Sequence, residues 1–524
     1  MTVPTRIVVR IAIYGALGVI ASACVRTIIS PPAPAVVVIA PEPVGVIPEP
    51  APSADSDSPP VIREMRGLWI ATVGNLDWPS KPGLSADQQR AELTDILNRA
   101  ASSGINTIIF QVRPSADALY ASSLEPWAAL LQGTQGVSPG YDPLAFAIQQ
   151  AHARGMELHA WINPFRAGTV ADSARLAPSH IFHTRRDLIR IYGHYLWLDP
   201  GEPDVQDLAI RVVADIVRRY DVDGIHLDDY FYPYRETGRN GRNIEFPDDA
   251  TYEKYSFGVP RNEWRRANID RFVERLYREV HAVKPTVKVG LSPFGIWRPG
   301  YPAGVDGLDS FEEIFADSRK WVRNGWADYF APQLYWPISA PQQSFSALLD
   351  WWITQNRYRR NISPGLAAYR VNNGSSLPFQ IDEIPAQIGV IRTRSGSTGS
   401  ILFDTHSTLK KDGGALARLL ASGVYKSSAM APASPWLDSV PPAPPVLSES
   451  ADALHFAAGG GKAVRWWTVR QHSGESWTTS VRFVSDASFP LGPNVDRVLV
   501  QAADQAGNLS RSVEWRRSDA GGHR

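Results

Sequence analysis

Between residues 61 and 430, short runs of β-branched and aromatic residues alternate with stretches whose apolar residues recur every three to four positions. The first pattern predicts strands and the second amphipathic helices. Strand-like runs fall at 66–73, 105–112, 157–162, 224–228, 287–292, 329–334, 362–367 and 400–403. Helix-like stretches follow at 86–103, 143–153, 205–220, 262–283, 311–324, 343–355, 381–392 and 414–421. Ser85 stands where a helix cap belongs, and Asp142-Pro143 supplies a cap followed by a first-turn proline. Eight such alternations predict a (β/α)8 barrel in the α/β class, a TIM barrel. The segments after the third and fourth strands, 163–204 and 230–261, are long, and long loops at that end of a barrel build substrate grooves.

The pattern changes at both flanks. After the proline-rich 441–445, period-two alternation at 464–470, 481–484 and 497–502 predicts a small β-sandwich. Its VLVQAADQAGNLS segment resembles the closing strands of a fibronectin type III domain. The division expected is a barrel over 61–430, a linker over 431–445 and an accessory sandwich over 446–517 whose removal leaves the barrel folded. At the other end, Arg6 and Arg10 precede an apolar run over 11–20 and the small residues Ala21-Ser22-Ala23. This reads as an export signal over 1–23, too short for a membrane span. Cys24, the only cysteine, follows that cleavage site in the manner of a bacterial lipobox, which implies lipidation and a membrane anchor. Residues 24–60, rich in Pro, Ala and Val, then form an extended tether.

Charge adds little. Lys+Arg and Asp+Glu both number 53, so nothing points to nucleic acid. A single cysteine rules out an intrachain disulfide framework and a cysteine-based metal site. The 17 tryptophans suit sugar binding, although most of them are expected in the core.

Candidate chemistry gathers at the predicted C-terminal ends of the strands, where barrels place their active sites. In DGIHLDDYFYP (223–233), side chains alternate faces, and the run ends in Asp228 and Asp229 beside Tyr230. Two carboxyl groups near aromatic rings are the equipment for glycoside hydrolysis. Asp228 is expected to face the mouth as nucleophile or base. Asp229 either holds a loop or serves as the acid if the strand ends there; Glu125 and Asp77 are the other candidate acids. His226 either bonds a carboxylate or is a core histidine. His159 and His406, also at predicted strand ends, could ligate a metal with Asp228, but HxH and HExxH pairs are lacking, so no metal and no cofactor are expected. Arg113, Arg166 and Arg298 follow three strands and either bind a substrate carboxylate or pair with acids of the mouth.

RGLWIATVGNLDWPS, FQVRPSADALY, AWINPFR, DGIHLDDYFYP, ADSRKW and DYFAPQLYW occur in order, and together the chain resembles the bacterial glycosyl-hydrolase-like 10 family over 62–430. The resemblance implies a (β/α)8 barrel, export with a lipid anchor, and hydrolysis of peptide-free peptidoglycan glycan strands. It implies Asp228 and Asp229 as the strand-four carboxylates. Trp78, Asn163, Trp297, Asp317, Gln333, Tyr335 and Trp336 join Asp77, Arg113, Arg166, His226 and Tyr230 as candidate substrate contacts. The partners implied are a polysaccharide, a membrane through the lipid, and proteins of the cell wall or division machinery. A non-catalytic carbohydrate-binding lipoprotein is the other reading, because His226 and Tyr230 stand where chitinase-like barrels have an Asp and a Glu.

Overall fold

The computed structural model describes residues 58–374 and 378–517. The signal, Cys24 and most of the tether lie outside the described residues.

Parallel strands Met65–Ile70, Thr107–Arg113, Glu157–Ile162, Gly224–Leu227, Lys288–Leu291 and Tyr329–Phe330 pair in chain order. The seventh strand closes the ring in two pieces. Asn361–Ile362 pairs with the sixth strand, and Gly365–Ala367 pairs with Gly399–Phe403, which returns to the first. Pro364 splits it because proline has no N–H to give the ladder, while its carbonyl still accepts from the Ile401 N–H at 3.0 Å. The result is the expected (β/α)8 barrel.

Helix starts follow local chemistry. Ser85 and Gln88 form a reciprocal capping box on Ala86–Ser102, and Asp142 caps Pro143–His152 through the Ala145 N–H. The continuous helix expected over 311–324 is instead two, Ser310–Glu313 and Ser318–Asn324. Phe315 between them adopts a positive φ of 55° and buries its ring against Tyr232 at 5.2 Å. Asp317 then caps the second piece through the Lys320 N–H. Burial of one large ring here outweighs helix continuity.

The long loop after the third strand folds into a three-stranded antiparallel sheet of Arg166–Thr169, Ile189–Tyr192 and Tyr195–Leu198. Trp197 of that sheet donates to the Phe231 carbonyl at 2.9 Å, bracing the loop after the fourth strand. Beyond residue 445 lie two antiparallel sheets, one of three strands and one of four. Leu454, Phe456, Trp467, Val469, Val498 and Val500 pack between them.

Candidate active site

The fourth strand places the two aspartates. Gly224 and His226 point into the barrel: a Cβ on Gly224 would lie 2.8 Å from the His159 ring, and His226 packs on Tyr329. Ile225 and Leu227 join the outer core under the helices. Asp228 continues the inward row. The regular strand ends at Leu227, and the backbone turns, with the Tyr230 N–H donating to Asp228 Oδ1 at 3.1 Å. Both carboxyl groups therefore meet groups at the C-terminal ends of other strands: Asp228 toward the third strand, Asp229 toward the sixth.

A chain of amides fixes the state of Asp228. The backbone N–H groups of Thr72 and Val73 both donate to Gln111 Oε1 at 2.9 Å. Gln111 Nε2 must then donate to Asn163 Oδ1 at 2.6 Å, and Asn163 Nδ2 to Asp228 Oδ2 at 2.6 Å. Trp161 Nε1 donates to the same oxygen at 3.1 Å. Asp228 is 7 % exposed, and burial leaves its pKa raised on balance, although Arg166 and these N–H donors oppose the rise by favouring the anion. Asp229, 3 % exposed, is pushed up to about 7 by burial and by the charge of Asp228. Tyr234 and Gln333 hydrogen-bond it. The N–H donors on Asp228 favour its anion, and the charge of Asp228 favours the proton on Asp229.

Around the pair stands an aromatic wall. Tyr335 lies parallel to Phe403 at 6.3 Å and edge-on to Tyr369 at 5.8 Å. Asp77 and Asp404 form a second carboxylate pair on the first and eighth strands. Burial and the Asp404 charge raise Asp77 to about 7. Asp77 accepts from the backbone N–H groups of Ala71 at 2.8 Å and His406 at 3.0 Å, so it ties two strand ends together.

The geometry gathers Asp228, Asp229, Asn163, Arg166, Tyr230, Gln333 and Tyr335 at one mouth, and moves other expected residues elsewhere. Glu125 is held by the guanidinium of Arg113 at 2.8 and 3.0 Å, and Arg113 also donates to the Asn163 carbonyl. The pair supports Asn163 from behind, and Glu125 spends both carboxylate oxygens on Arg113 instead of standing free as the expected acid. Trp78 is fully buried and donates to the Gln89 carbonyl at 3.0 Å, so it is core. Trp297 is buried against Trp351 and donates to Asp317, whose carboxylate is spent on that bond and a helix cap. These two are braces under the fifth loop. Trp336 is half-buried, edge-on to Phe294 at 5.8 Å. His226 is a core histidine: burial, then the neighbouring His159, hold its pKa well down, and Trp69 Nε1 donates to its Nε2 at 3.1 Å.

Trp161, Tyr234, Phe403 and Tyr369 were not anticipated as site residues. Trp161 lies two positions before Asn163 on one strand, so period-two alternation carried the signal. Tyr234 comes after the strand has ended, where spacing carries none. Among the described residues no group of three His, Cys, Asp or Glu side chains is placed to hold a metal ion.

A barrel with paired carboxyl groups in unequal surroundings and an aromatic wall at its C-terminal mouth is the equipment of a glycoside hydrolase. The glycosyl hydrolase-like 10 family model matches residues 64–381, and the chain belongs to that family. It is 38% identical over 397 residues to "Glycosyl hydrolase YngK" of Bacillus subtilis (strain 168), covering 74% of this chain and 77% of the relative. It is 36% identical over 386 residues to "Glycosyl hydrolase DigH" of Escherichia coli (strain K12), covering 67% and 86%. Among solved structures it is similar to the PgaB (BpsB) glycoside hydrolase domain of Bordetella bronchiseptica, with a TM-score of 0.45 at 14% identity, covering 69% of this chain and 99% of that one.

Proposed function

We propose that this enzyme cleaves glycosidic bonds in a cell-wall polysaccharide, with peptide-free peptidoglycan strands as its substrate. Asp229 is the proton donor to the leaving oxygen, and Asp228 presents its negative charge to the cationic sugar centre of the transition state. The observation that carries this reading is the asymmetry of the pair. N–H donors converge on Asp228, while Asp229 is buried beside that charge and keeps its proton up to about pH 7. Tyr335 and its ring neighbours supply a surface for the apolar face of a sugar. The strand order of the C-terminal sheets supports a fibronectin type III-like accessory module.

The deciding experiment is release of new reducing ends from purified, peptide-stripped glycan. Asp228→Asn is expected to abolish turnover while glycan binding persists; near-normal turnover would remove Asp228 from the chemistry. We place the enzyme at the cell envelope, exported and tethered by a lipid on Cys24. Cys24→Ala is expected to move the protein from the membrane to the soluble fraction, and retention in the membrane would argue against a lipid anchor.

A further inference from the structure

Three arginines follow barrel strands near the mouth, and their surroundings differ. Arg113 is consumed by Glu125 and the Asn163 carbonyl. Arg298 pairs with Asp309 at 3.2 Å. Arg166 is different. Its guanidinium lies over the Tyr230 ring at 4.5 Å from the centroid. Among the described residues that guanidinium makes no hydrogen bond and no ion pair, and its Nε is buried without a partner. It nonetheless stands close enough to favour the charged form of Asp228.

A planar cation backed by an aromatic ring, with its donor edge unspent, is built to take a carboxylate through two parallel bonds. Contact with the Tyr230 ring restrains the guanidinium in advance, so less freedom is lost when an anion docks. Arg166 lies beside Asp228, so the anion it would hold belongs to the sugar at the cleavage point. We propose that Arg166 binds a carboxylate carried by the sugar next to the scissile bond and makes the enzyme selective for acid-bearing glycans. This rests on the glycan-hydrolase reading above. The same chemistry would recognise a lactyl-ether acid or a uronic acid. A lactyl acid is free only where no peptide is attached to it, so this contact would also favour peptide-free strands.

The test compares kcat/KM on peptide-free peptidoglycan strands, on the same strands with their carboxylates converted to amides, and on a uronate-bearing glycan. Amidation is expected to lower wild-type kcat/KM about ten- to a hundred-fold. Arg166→Gln should lose as much on the acidic strands and no longer distinguish them from the amidated ones. Arg166→Lys, which keeps the charge without the fork, should fall between and serves if the Gln variant does not fold. Cleavage of the uronate glycan with the same Arg166 dependence assigns the site to carboxylates in general; dependence on lactyl acids alone assigns the narrower source. Wild-type indifference to amidation would overturn the proposal. So would an Arg166→Gln variant that slows on both substrates equally, because the arginine would then act only through Asp228. Equilibrium binding of acidic and amidated fragments to the Asp228→Asn protein separates this from failure of the hydrolase reading. An acid preference that Arg166→Gln removes supports the site even if no glycan is cut, and equal binding refutes it.

Discussion

Asp228 accepts from the N–H groups of Trp161, Asn163 and Tyr230, groups that cannot accept a proton in return. Asp229, one peptide further, is raised by burial and by its neighbour's charge, which outweigh the bonds from Tyr234 and Gln333. The same residue type thereby meets unequal surroundings, as the proposed acid and base roles require. Asp229→Asn is expected to lower kcat about 10²–10⁴-fold on substrates that need leaving-group protonation. In the wild type, activity should fall as pH rises through about 7, because Asp229, the proposed donor, then loses its proton; a kcat/KM profile flat across pH 6–8 would contradict this. The stability sign follows from the same shift. The folded pKa exceeds the unfolded value, so the native state binds more protons between them and stability declines as pH rises through that window. Asp229→Asn should therefore melt no lower than wild type above pH 7.

At the scale of elements, the barrel interior holds a directed line of hydrogen bonds. Trp69 Nε1 donates to His226 Nε2, so the neutral His226 carries its proton on Nδ1 and donates to the Tyr329 hydroxyl at 2.9 Å. That hydroxyl donates to His159 Nδ1 at 2.8 Å, and His159 Nε2 donates to Glu157, which Lys288 also binds. Every polar group in this line is paired, so the line holds the floor of the mouth rigid. Gly224 and Gly290 make room for it: a Cβ on Gly290 would lie 2.0 Å from the Tyr329 ring. Gly290→Ala is expected to cost about 1–3 kcal/mol through overpacking, measurable by urea denaturation. The strands and helices themselves were readable from periodicity. The break at Phe315 and the sheet within 166–198 were not, because each depends on a ring or strand partner distant in sequence.

At the scale of the whole molecule, the C-terminal sandwich docks beside the N-terminal ends of the strands, away from the mouth. Arg465 bonds Asp223 at 2.7 Å and Asp221 at 2.6 Å, and Phe483 stacks on His152 at 4.5 Å. Burial raises the Asp223 carboxyl, but Arg465 and His152 outweigh it and hold it well below the usual range. A depressed carboxyl contributes stability at neutral pH that is lost only in strong acid. The sandwich thus supplies a charge partner and a ring contact to the barrel's lower face. Arg465→Ala leaves Asp223 buried without its guanidinium and should destabilise the barrel by about 3–5 kcal/mol. Calorimetry showing an unchanged barrel transition would restore the view of an independent module.

Local periodicity, caps and the alternation within DGIHLDDYFYP were enough to determine the barrel, its long mouth loops and the inward direction of Asp228. Those properties depend on each residue's near neighbours in the chain. The unequal surroundings of the two aspartates, the burial of Trp78 and Trp297, the pairing of Glu125 with Arg113 and the unspent edge of Arg166 were decided only by the folded structure. Each depends on which distant strand end supplies a donor or a charge within hydrogen-bonding reach, and backbone periodicity does not encode that.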